Sequence, residues 1–504
     1  MLSALSQILQ PYPLLLAIGG TALGLVVGAM PGLSATMALA VLLPFTFAMD
    51  PLHGLVALGA VYMGAIYGGA FAAILVNTPG TPSSIATTFE GYPMAKKGEA
   101  EDAITAATVA STIGGLFGVG ALLFLAPPLA QFALRFGPAE YFWIAILGLT
   151  LIGSLSEGPL LKGMAGGVIG VLISLIGIAP LGGESRFGFG LPALQGGVHL
   201  VVALIGMFAI PELLSMAGTG KAALAQATES VRRSGGTFGM IKRVLSMPGN
   251  LLRSCIIGEI VSIVPGAGGN IAGLVSYNEA KRYSKHPERY GKGEVEGLVA
   301  SEAANNVTVA GSMVPLLTLG IPGAPPDALI LGVLLMHGLR PGAELFTVSG
   351  TMTYGFILSM GLAALLLLPI GLLAGTWIYR AVVRVPAYFL VPTIALMTIF
   401  GSFALRNNTT DVIIMVVLGL AAYLLKELGF HPAPIVLGLI LGPIAETGFV
   451  TTMLLGQAYA VPALRLFDNT LSQVLIALVV LFLLAPALSN WRRSRKERMN
   501  KGGA

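Results

Sequence analysis

Apolar segments separated by short polar ones run through nearly the whole chain. A helix needs about 20 apolar residues to cross a bilayer. The segments that reach or approach this length are 12–30, 33–48, 54–76, 103–130, 138–156, 163–181, 197–216, 250–264, 267–279, 298–320, 325–339, 346–378, 386–405, 411–426, 433–456 and 469–489. Several are too short to span alone or are interrupted by Pro-Gly, so the pattern predicts a helical bundle with broken helices.

The composition agrees with a protein that is solvated by lipid. Hydrophobic residues make up 55% of the 504 residues and charged residues 10%, where soluble domains carry about 25% charged residues. This excludes soluble multidomain enzymes, disordered proteins and disulfide scaffolds. The sequence therefore predicts an all-α polytopic integral membrane protein.

Motifs for catalysis, metals and nucleotides are missing from the sequence. One cysteine, Cys255, excludes an internal disulfide or a Cys-x-x-Cys pair. There is no H-E-x-x-H or G-x-S-x-G motif, and AGTGKA at 217–222 departs from a nucleotide-binding loop at both ends. We expect no enzyme activity and no cofactor, and an ion gradient rather than ATP as the energy source.

Positive charge is concentrated in three hydrophilic stretches. Of 28 lysines and arginines, six lie at 221–253, five at 281–292 and six at 492–501. Cytoplasmic loops of membrane proteins are enriched in these residues, so we expect the three stretches and the C-terminus to be cytoplasmic. Nothing in the pattern resembles a nucleic-acid surface.

The two halves of the chain resemble each other. GLVVGAMPGLSATMA (24–38) aligns with GEIVSIVPGAGGNIA (258–272), and ILVNTPGTPSSIA (74–86) with LLTLGIPGAPPDAL (316–329). Two shorter matches, PAEYF with PAYF and Gly-Ser with Gly-Ser, follow in the same order. We therefore predict a first membrane repeat at 1–216, a cytoplasmic linker at 217–249, a second repeat at 250–456, and a final transmembrane helix with a basic tail at 457–504.

Charge predicts that these repeats are inverted. The loop after the first Pro-Gly is free of Lys and Arg in half one and basic in half two, and after the second Pro-Gly the bias reverses. Stretches 217–249 and 281–296 are both basic, so 250–280 must enter and return on one side. Fifteen helical residues reach only about 22 Å, which predicts a re-entrant hairpin.

The Pro-Gly breaks are the candidate binding site. Broken backbone survives in a membrane only where protein or water surrounds it. Half-helix N-termini attract anions, and carbonyl ends suit sodium. The candidate substrate-binding residues are Pro31, Gly32, Ser34, Thr36, Asn77, Thr78, Pro79, Gly80, Thr81, Ser83, Ser84, Pro265, Gly266, Gly268, Gly269, Asn270, Pro322 and Gly323. The alternative is that these groups only cap broken helices.

Acids inside apolar segments are candidates for cation coupling, because an ionisable group in a membrane is costly. Glu302 and Glu259 lie nearest the breaks, whereas Glu140 and Glu446 are more typical of interface residues. The candidate ion-coupling residues are Glu302, Asn305, Asn306, Thr318, Gly320 and Glu259. Helix capping or interfacial exposure is the alternative role for the acids.

Several long motifs resemble one family. They are GAIYGGAFAAILVNTPGTPSSIATTFEGYPMAKKGEAEDA (64–103), VPGAGGNIAGLVSYNEAKRYSK (264–285), GKGEVEGLVASEAANN (291–306) and LLTLGIPGAPPDALILGVLLMHGLRPG (316–342). They resemble the large membrane subunit of bacterial tripartite tricarboxylate transporters. The resemblance implies a multi-pass secondary transporter of the bacterial inner membrane, a periplasmic binding protein, a small membrane subunit, and a di- or tricarboxylate coupled to Na⁺ or H⁺.

The sequence thus predicts an ion-gradient-driven transporter that imports a carboxylate. Two alternatives stay open. A passive channel for small organic anions can also be built from paired broken helices. A membrane-embedded enzyme or assembly scaffold is the other, although the chain shows no nucleophile–base constellation.

Overall fold

The computed structural model describes residues 1–30, 32–155, 160–218, 236–264, 268–373, 377, 387–458 and 461–484. The helices are α1 Leu2–Ile8, α2 Pro11–Gly28, α3 Ala35–Phe47, α4 Pro51–Val76, α5 Ile85–Lys96, α6 Ala100–Ala133, α7 Pro138–Leu155, α8 Leu160–Ser174, α9 Leu200–Gly218, α10 Thr237–Leu245, α11 Pro248–Ile263, α12 Gly268–Tyr283, α13 Val295–Gly311, α14 Met313–Leu319, α15 Pro325–Met336, α16 Ala343–Thr347, α17 Gly350–Leu373, α18 Ala387–Arg406, α19 Thr409–Glu427, α20 Pro432–Leu455 and α21 Thr470–Leu484. A short antiparallel hairpin joins β1 Gly177–Ile178 to β2 Ser185–Arg186. Most of the predicted linker and the basic tail lie outside these ranges.

The helices have the length and polarity of a membrane bundle. Within the described ranges, eight are long and apolar enough to cross a bilayer, or up to nine if the bent pair α10–α11 is one span. Five shorter apolar helices accompany them. Large apolar side chains such as Phe124 and Leu161 are about four-fifths exposed, a surface that lipid covers in a membrane protein. The all-α polytopic fold is confirmed.

The chain forms two compact units. The first contains Met1–Ala133 and Val201–Tyr423, and the second contains Leu134–Leu200 and Leu424–Ala504. Each unit draws on both predicted halves, so the contact-based units follow a different division from the sequence repeats. The repeat boundaries themselves stay a prediction.

Glycines let the helices of the first unit approach closely around α4, the most buried of the spanning helices. A Cβ atom on Gly24 would lie 2.2 Å from the carbonyl oxygen of Val61, and one on Gly114 would lie 2.2 Å from that of Ala303. These contacts pack α2 against α4 and α6 against α13. Small residues are the usual means of tight helix packing in membranes.

The second unit packs α8 against α20 through glycines, and a Cβ atom on Gly170 would lie 1.8 Å from the carbonyl oxygen of Ile435. Its buried acid Glu140 accepts hydrogen bonds from the Gly137 amide, Asn469 and Ser472. Those partners make Glu140 a structural group that ties α7 to the start of α21.

The α11–α12 segment corresponds to the predicted re-entrant hairpin, and its position in a membrane stays a prediction. Asn250, near the start of α11, donates 2.9 Å to the Glu296 carbonyl. The Arg253 guanidinium lies 5.0 Å from the ring centre of Tyr283, where α12 ends. The entry and exit of the hairpin therefore lie together. Helix α10 meets α11 at a bend of 71°.

Candidate functional site

The second Pro-Gly break has the same backbone conformation in both halves. Helix α4 ends at Asn77 (φ 56°, ψ 26°) and α14 at Gly320 (φ 73°, ψ 20°), both left-handed. Asn and Gly are the residues that accept this conformation at a helix end. Four residues later, Thr81 and Ala324 are both extended and are followed by a proline that begins the next turn.

In each half, the glycine of the second break packs against the helix that precedes the first break of the same half. A Cβ atom on Gly80 would lie 2.1 Å from the Gly28 carbonyl oxygen and 2.9 Å from the Gly69 Cα. In the sequence alignment, Gly80 corresponds to Gly323. Gly28 corresponds to Ser262, and Gly69 corresponds to Ser312. There, a Cβ on Gly323 would lie 2.8 Å from the Ser312 Cβ and 3.1 Å from the Ser262 carbonyl oxygen.

We call these two arrangements the cradles. The first cradle consists of Gly28, Gly69, Gly80 and Ser84, and the second cradle consists of Ser262, Ser312, Gly323 and Asp327. The flanking helices keep the same register: a Cβ on Gly24 would meet the Val61 carbonyl, and a Cβ on the corresponding Gly258 would meet that of the corresponding Ala304. The internal repeat is therefore a repeat of packing as well as of sequence.

The first cradle contacts the hairpin of the other half. A Cβ on Gly269, in the first turn of α12, would lie 2.9 Å from the Ser83 Cβ and 2.7 Å from the Asn305 side-chain oxygen. Thr308 lies 3.1 Å from the same point. The structure thus brings together predicted residues from two different breaks and from α13.

This junction is suited to an anion. The turn Pro82–Ser84 leads into α5, and its N-terminal end meets that of α12. Helix N-termini present unpaired amides and a partial positive charge. Asn305 lies between them, 1% exposed, and neither polar atom of its side chain has a hydrogen-bond partner among the described residues.

The second cradle carries acids instead. Asp327 is fully buried and accepts 2.7 Å from the Ala324 amide, which caps α15. The Tyr62 and Ser312 hydroxyl groups lie beside its carboxylate. Glu259 reaches the same region from α11, with one oxygen 2.8 Å from the place of a Cβ on Gly311.

Glu302 holds three helices together. Its carboxylate accepts 2.8 Å from the Ser111 hydroxyl on α6 and also a short bond from the Thr87 hydroxyl on α5. One turn further along α13, the Asn306 amide donates 3.1 Å to the Ser111 carbonyl. Both predicted residues are buried, and their role in ion coupling stays a prediction.

The remaining predicted residues have varied positions. Asn77 and Thr78 are exposed, and Thr81 and Ser83 bond each other at 3.1 Å. The Thr318 hydroxyl donates to its own helix at 2.6 Å. Other predicted residues in described regions are Gly32, which has a positive φ and open space around it; Ser34, which caps α3; Thr36, which is buried; Pro79, which is partly buried; Gly268, which starts α12; and Pro322, which is buried.

Four predicted residues cannot be placed. Pro31, Pro265 and Gly266 lie outside the described residues, as does the side chain of Asn270. The first break of each half is therefore known only by the helices on either side of it.

Glu90, absent from the predicted set, accepts four hydrogen bonds. It is fully buried in α5 and accepts bonds from the amides of Gly291, Gly293 and Glu294 and from the Tyr277 hydroxyl at 2.5–2.7 Å. Lys97 adds a 2.6 Å bond to the Lys292 carbonyl. The contacts fasten the helix that follows the first cradle to the loop between α12 and α13.

The loops at the helix ends form two groups. The bonds of Glu90 and Lys97 join loop 97–99 to loop 284–294, both with lysines. At another place, Phe47 at the end of α3 stacks on His337 after α15, with ring centres 6.3 Å apart. The only lysine or arginine of loops 48–50 and 337–342 is Arg340.

Comparison with known proteins identifies one matching family and two similar bacterial proteins. The sequence profile of the tripartite tricarboxylate transporter TctA family matches residues 14–437. An uncharacterised 52.8 kDa protein of Agrobacterium vitis, from the TAR-I ttuC′ 3′ region, is 34% identical over 97% of this chain and 96% of its own. A second protein of that organism, from the TAR-II ttuC′ 3′ region, is 36% identical over 40% of this chain and 84% of its own.

Proposed function

We propose, from the premise that this chain belongs to the tripartite tricarboxylate transporter TctA family, that it imports a di- or tricarboxylate by ion-gradient-driven secondary transport. The family is one of transporters and not of enzymes. Family membership supports transport, and the energy source, the direction of transport and the location of the site are our proposals.

The surroundings of Asn305 support the proposed location of the carboxylate site. Asn305 is buried where two half-helix N-termini meet, and its amide has no partner in the part of the chain that the structure describes. A buried polar group without a partner costs free energy, and a carboxylate would accept the hydrogen bonds that the Asn305 amide nitrogen can donate. The helix ends at Ser83 and Gly269 would add amide donors, since no Lys or Arg is required to bind an anion at a helix N-terminus.

We assign ion coupling to two buried acids, Glu302 and Glu259. Glu302 lies on the same helix as Asn305, one turn before it, and is bonded to α5 through Thr87. Glu259 lies in the hairpin that carries Gly269. A Na⁺ or H⁺ bound at either acid would lower the cost of binding a carboxylate nearby.

We further propose that the halves are inverted in the membrane, with the C-terminus in the cytoplasm. The matched cradles support the repeat, and the two groups of loops support opposite sides for corresponding loops, because one group is basic and the other is not. Single cysteines at 285 and 99 should be labelled from the cytoplasm, and single cysteines at 49 and 340 from the periplasm. Labelling of all four from one side would contradict the inversion.

The partners follow from the family. A periplasmic binding protein would deliver the substrate, and a small membrane subunit would complete the complex in the bacterial inner membrane. Ligand identification on the binding protein encoded beside this subunit would name the carboxylate.

Reconstitution of the complex into liposomes tests the transport function. We expect a labelled carboxylate to accumulate above its external concentration when an inward Na⁺ or H⁺ gradient is imposed, and to be released when an ionophore collapses that gradient. Flux that never exceeds equilibrium would show a passive channel for small organic anions instead. Omitting the binding protein tests whether delivery is required.

A further inference from the structure

The two cradles share one backbone arrangement and differ in their side chains at four matched positions. In each case the first half has a group with less capacity to bind a cation and the second half has an oxygen donor. The pairs are Leu25 and Glu259, Gly28 and Ser262, Gly69 and Ser312, and Ser84 and Asp327. The differences converge, because all four second-half residues surround Gly311 and Gly323.

Three of the four carboxylate oxygens at the second cradle lack a hydrogen-bond partner in the described part of the chain. Asp327 is 0% exposed and Glu259 is 6% exposed. One carboxylate oxygen of Asp327 and both of Glu259 have no hydrogen-bond partner among the residues that the structure describes. A buried carboxyl group in this condition either takes up a proton or binds a cation.

Neutral oxygen donors lie around the same place. The hydroxyl groups of Tyr62 and Ser312 are beside the Asp327 carboxylate. The Ser262 hydroxyl lies 2.0 Å from the place of a Cβ on Gly311, where Glu259 also reaches. Carboxylate and hydroxyl oxygens, without nitrogen or sulfur, are ligands for a hard cation.

We propose that the second cradle is a sodium-ion site, with Asp327 as its charged ligand and Ser312 and Tyr62 as neutral ligands. Glu259 faces the same cradle from α11 and contributes a second negative charge. A proton would need only one of these oxygens, whereas a metal ion uses several, and the cradle supplies several. The site is separate from Asn305 and the first cradle, and it does not require a bound carboxylate.

Equilibrium binding of radioactive sodium to the purified full-length protein, without substrate, tests the proposal. We expect saturable binding to the wild type, its loss in Asp327→Asn, and about tenfold weaker binding in Ser312→Ala, as the loss of one ligand worth about 1.4 kcal/mol predicts. Ser84→Ala, the matched change in the first cradle, should bind sodium as the wild type does. A melting curve of each variant shows that it is folded.

The outcomes separate this site from the transport proposal. Wild-type protein without saturable sodium binding, or Asp327→Asn protein that binds sodium normally, would overturn the sodium site while leaving carboxylate uptake untouched. Loss of sodium binding in Glu302→Gln but not in Ser312→Ala would place the ion elsewhere and also overturn it. If Asp327→Asn does not fold, the Ser312→Ala and Ser84→Ala pair decides alone.

Discussion

The first and second cradles are two copies of one backbone arrangement with opposite chemistry. The first is lined by glycine and by hydroxyl groups that bond within their own turn, and it opens onto helix N-termini and Asn305. The second places Asp327 at the position of Ser84 and Ser312 at the position of Gly69. We infer that a Pro-Gly break provides a place for a charged ligand and that a few side chains decide the sign of its charge.

The comparison of the two cradles also distinguishes residues that maintain the backbone arrangement from residues that bind a ligand. The glycine contact is kept in both cradles, since Gly80 and Gly323 each pack against the helix before the first break. The side chains around this glycine differ between the two halves. We infer that the glycine packing is needed for the arrangement itself and that the surrounding residues set the ligand.

The largest effect is expected from a bulky residue at the glycine of either cradle. In Gly80→Val, the new Cβ would lie 2.1 Å from a backbone oxygen, closer than the 3.0 Å that real Cβ contacts keep. Neither Gly28 nor Gly69 has a side chain that can move away, so the cradle must open. We expect carboxylate uptake to be abolished while the amount of protein in the membrane stays near that of the wild type.

Gly323→Val should also abolish uptake, whereas Gly323→Ala should retain part of it. Its nearest neighbour is the Ser312 Cβ at 2.8 Å, whereas the nearest neighbour at Gly80 is a backbone oxygen at 2.1 Å, so a single methyl group at Gly323 requires a smaller displacement. The control is Gly120→Val on α6, which has nothing within 4 Å of the new Cβ. Normal uptake by both Gly80→Val and Gly323→Val would remove the cradles from the mechanism.

A smaller effect is expected at Asn305, and only on the carboxylate. Asn305→Leu removes the amide with little change in volume. A hydrogen bond to a charged group is worth about 1.5–3 kcal/mol, so the half-saturating substrate concentration should rise about 10- to 150-fold. The melting temperature should not fall, because the amide has no partner to lose within the described structure.

The matched variant in the second cradle is Tyr62→Phe, since Tyr62 aligns with Asn305. It should weaken sodium binding and leave carboxylate binding close to normal. If Asn305→Leu lowers the melting temperature and the binding of both ligands together, then Asn305 is a packing residue and the two cradles are not chemically distinct.

The sequence alone predicts the helices and the breaks well, because both depend on local signals. Apolar length predicts the spans, and proline followed by glycine predicts where a helix stops. The hairpin α11–α12 follows from charge and from the short reach of each arm, and its ends do meet at Arg253 and Tyr283.

Contacts between distant segments are beyond such signals. Glu90 lies in a stretch of mixed charge that resembles an ordinary exposed loop, yet it is buried against three amides some two hundred residues away. Glu140 was expected at an interface and is instead buried with three partners. The meeting of Ser83, Gly269 and Asn305 depends on how the two halves pack, which the sequence of one half does not contain.

The smallest effect is expected at the residue that ends the helix before the second break, which is Asn77 in half one and Gly320 in half two. Asn77 and Gly320 have the same left-handed conformation, which costs most residues about 1–2 kcal/mol and costs glycine nothing. Asn77→Ala should therefore lower the melting temperature of the purified protein by about 1 °C, as about 1 kcal/mol of strain predicts for a chain of 504 residues. Asn77→Gly, which copies the second half, should melt with the wild type. Equal melting of the alanine and glycine variants would mean that the exposed end of α4 relaxes to another conformation, and the backbone match between the two cradles would then not constrain the first of them.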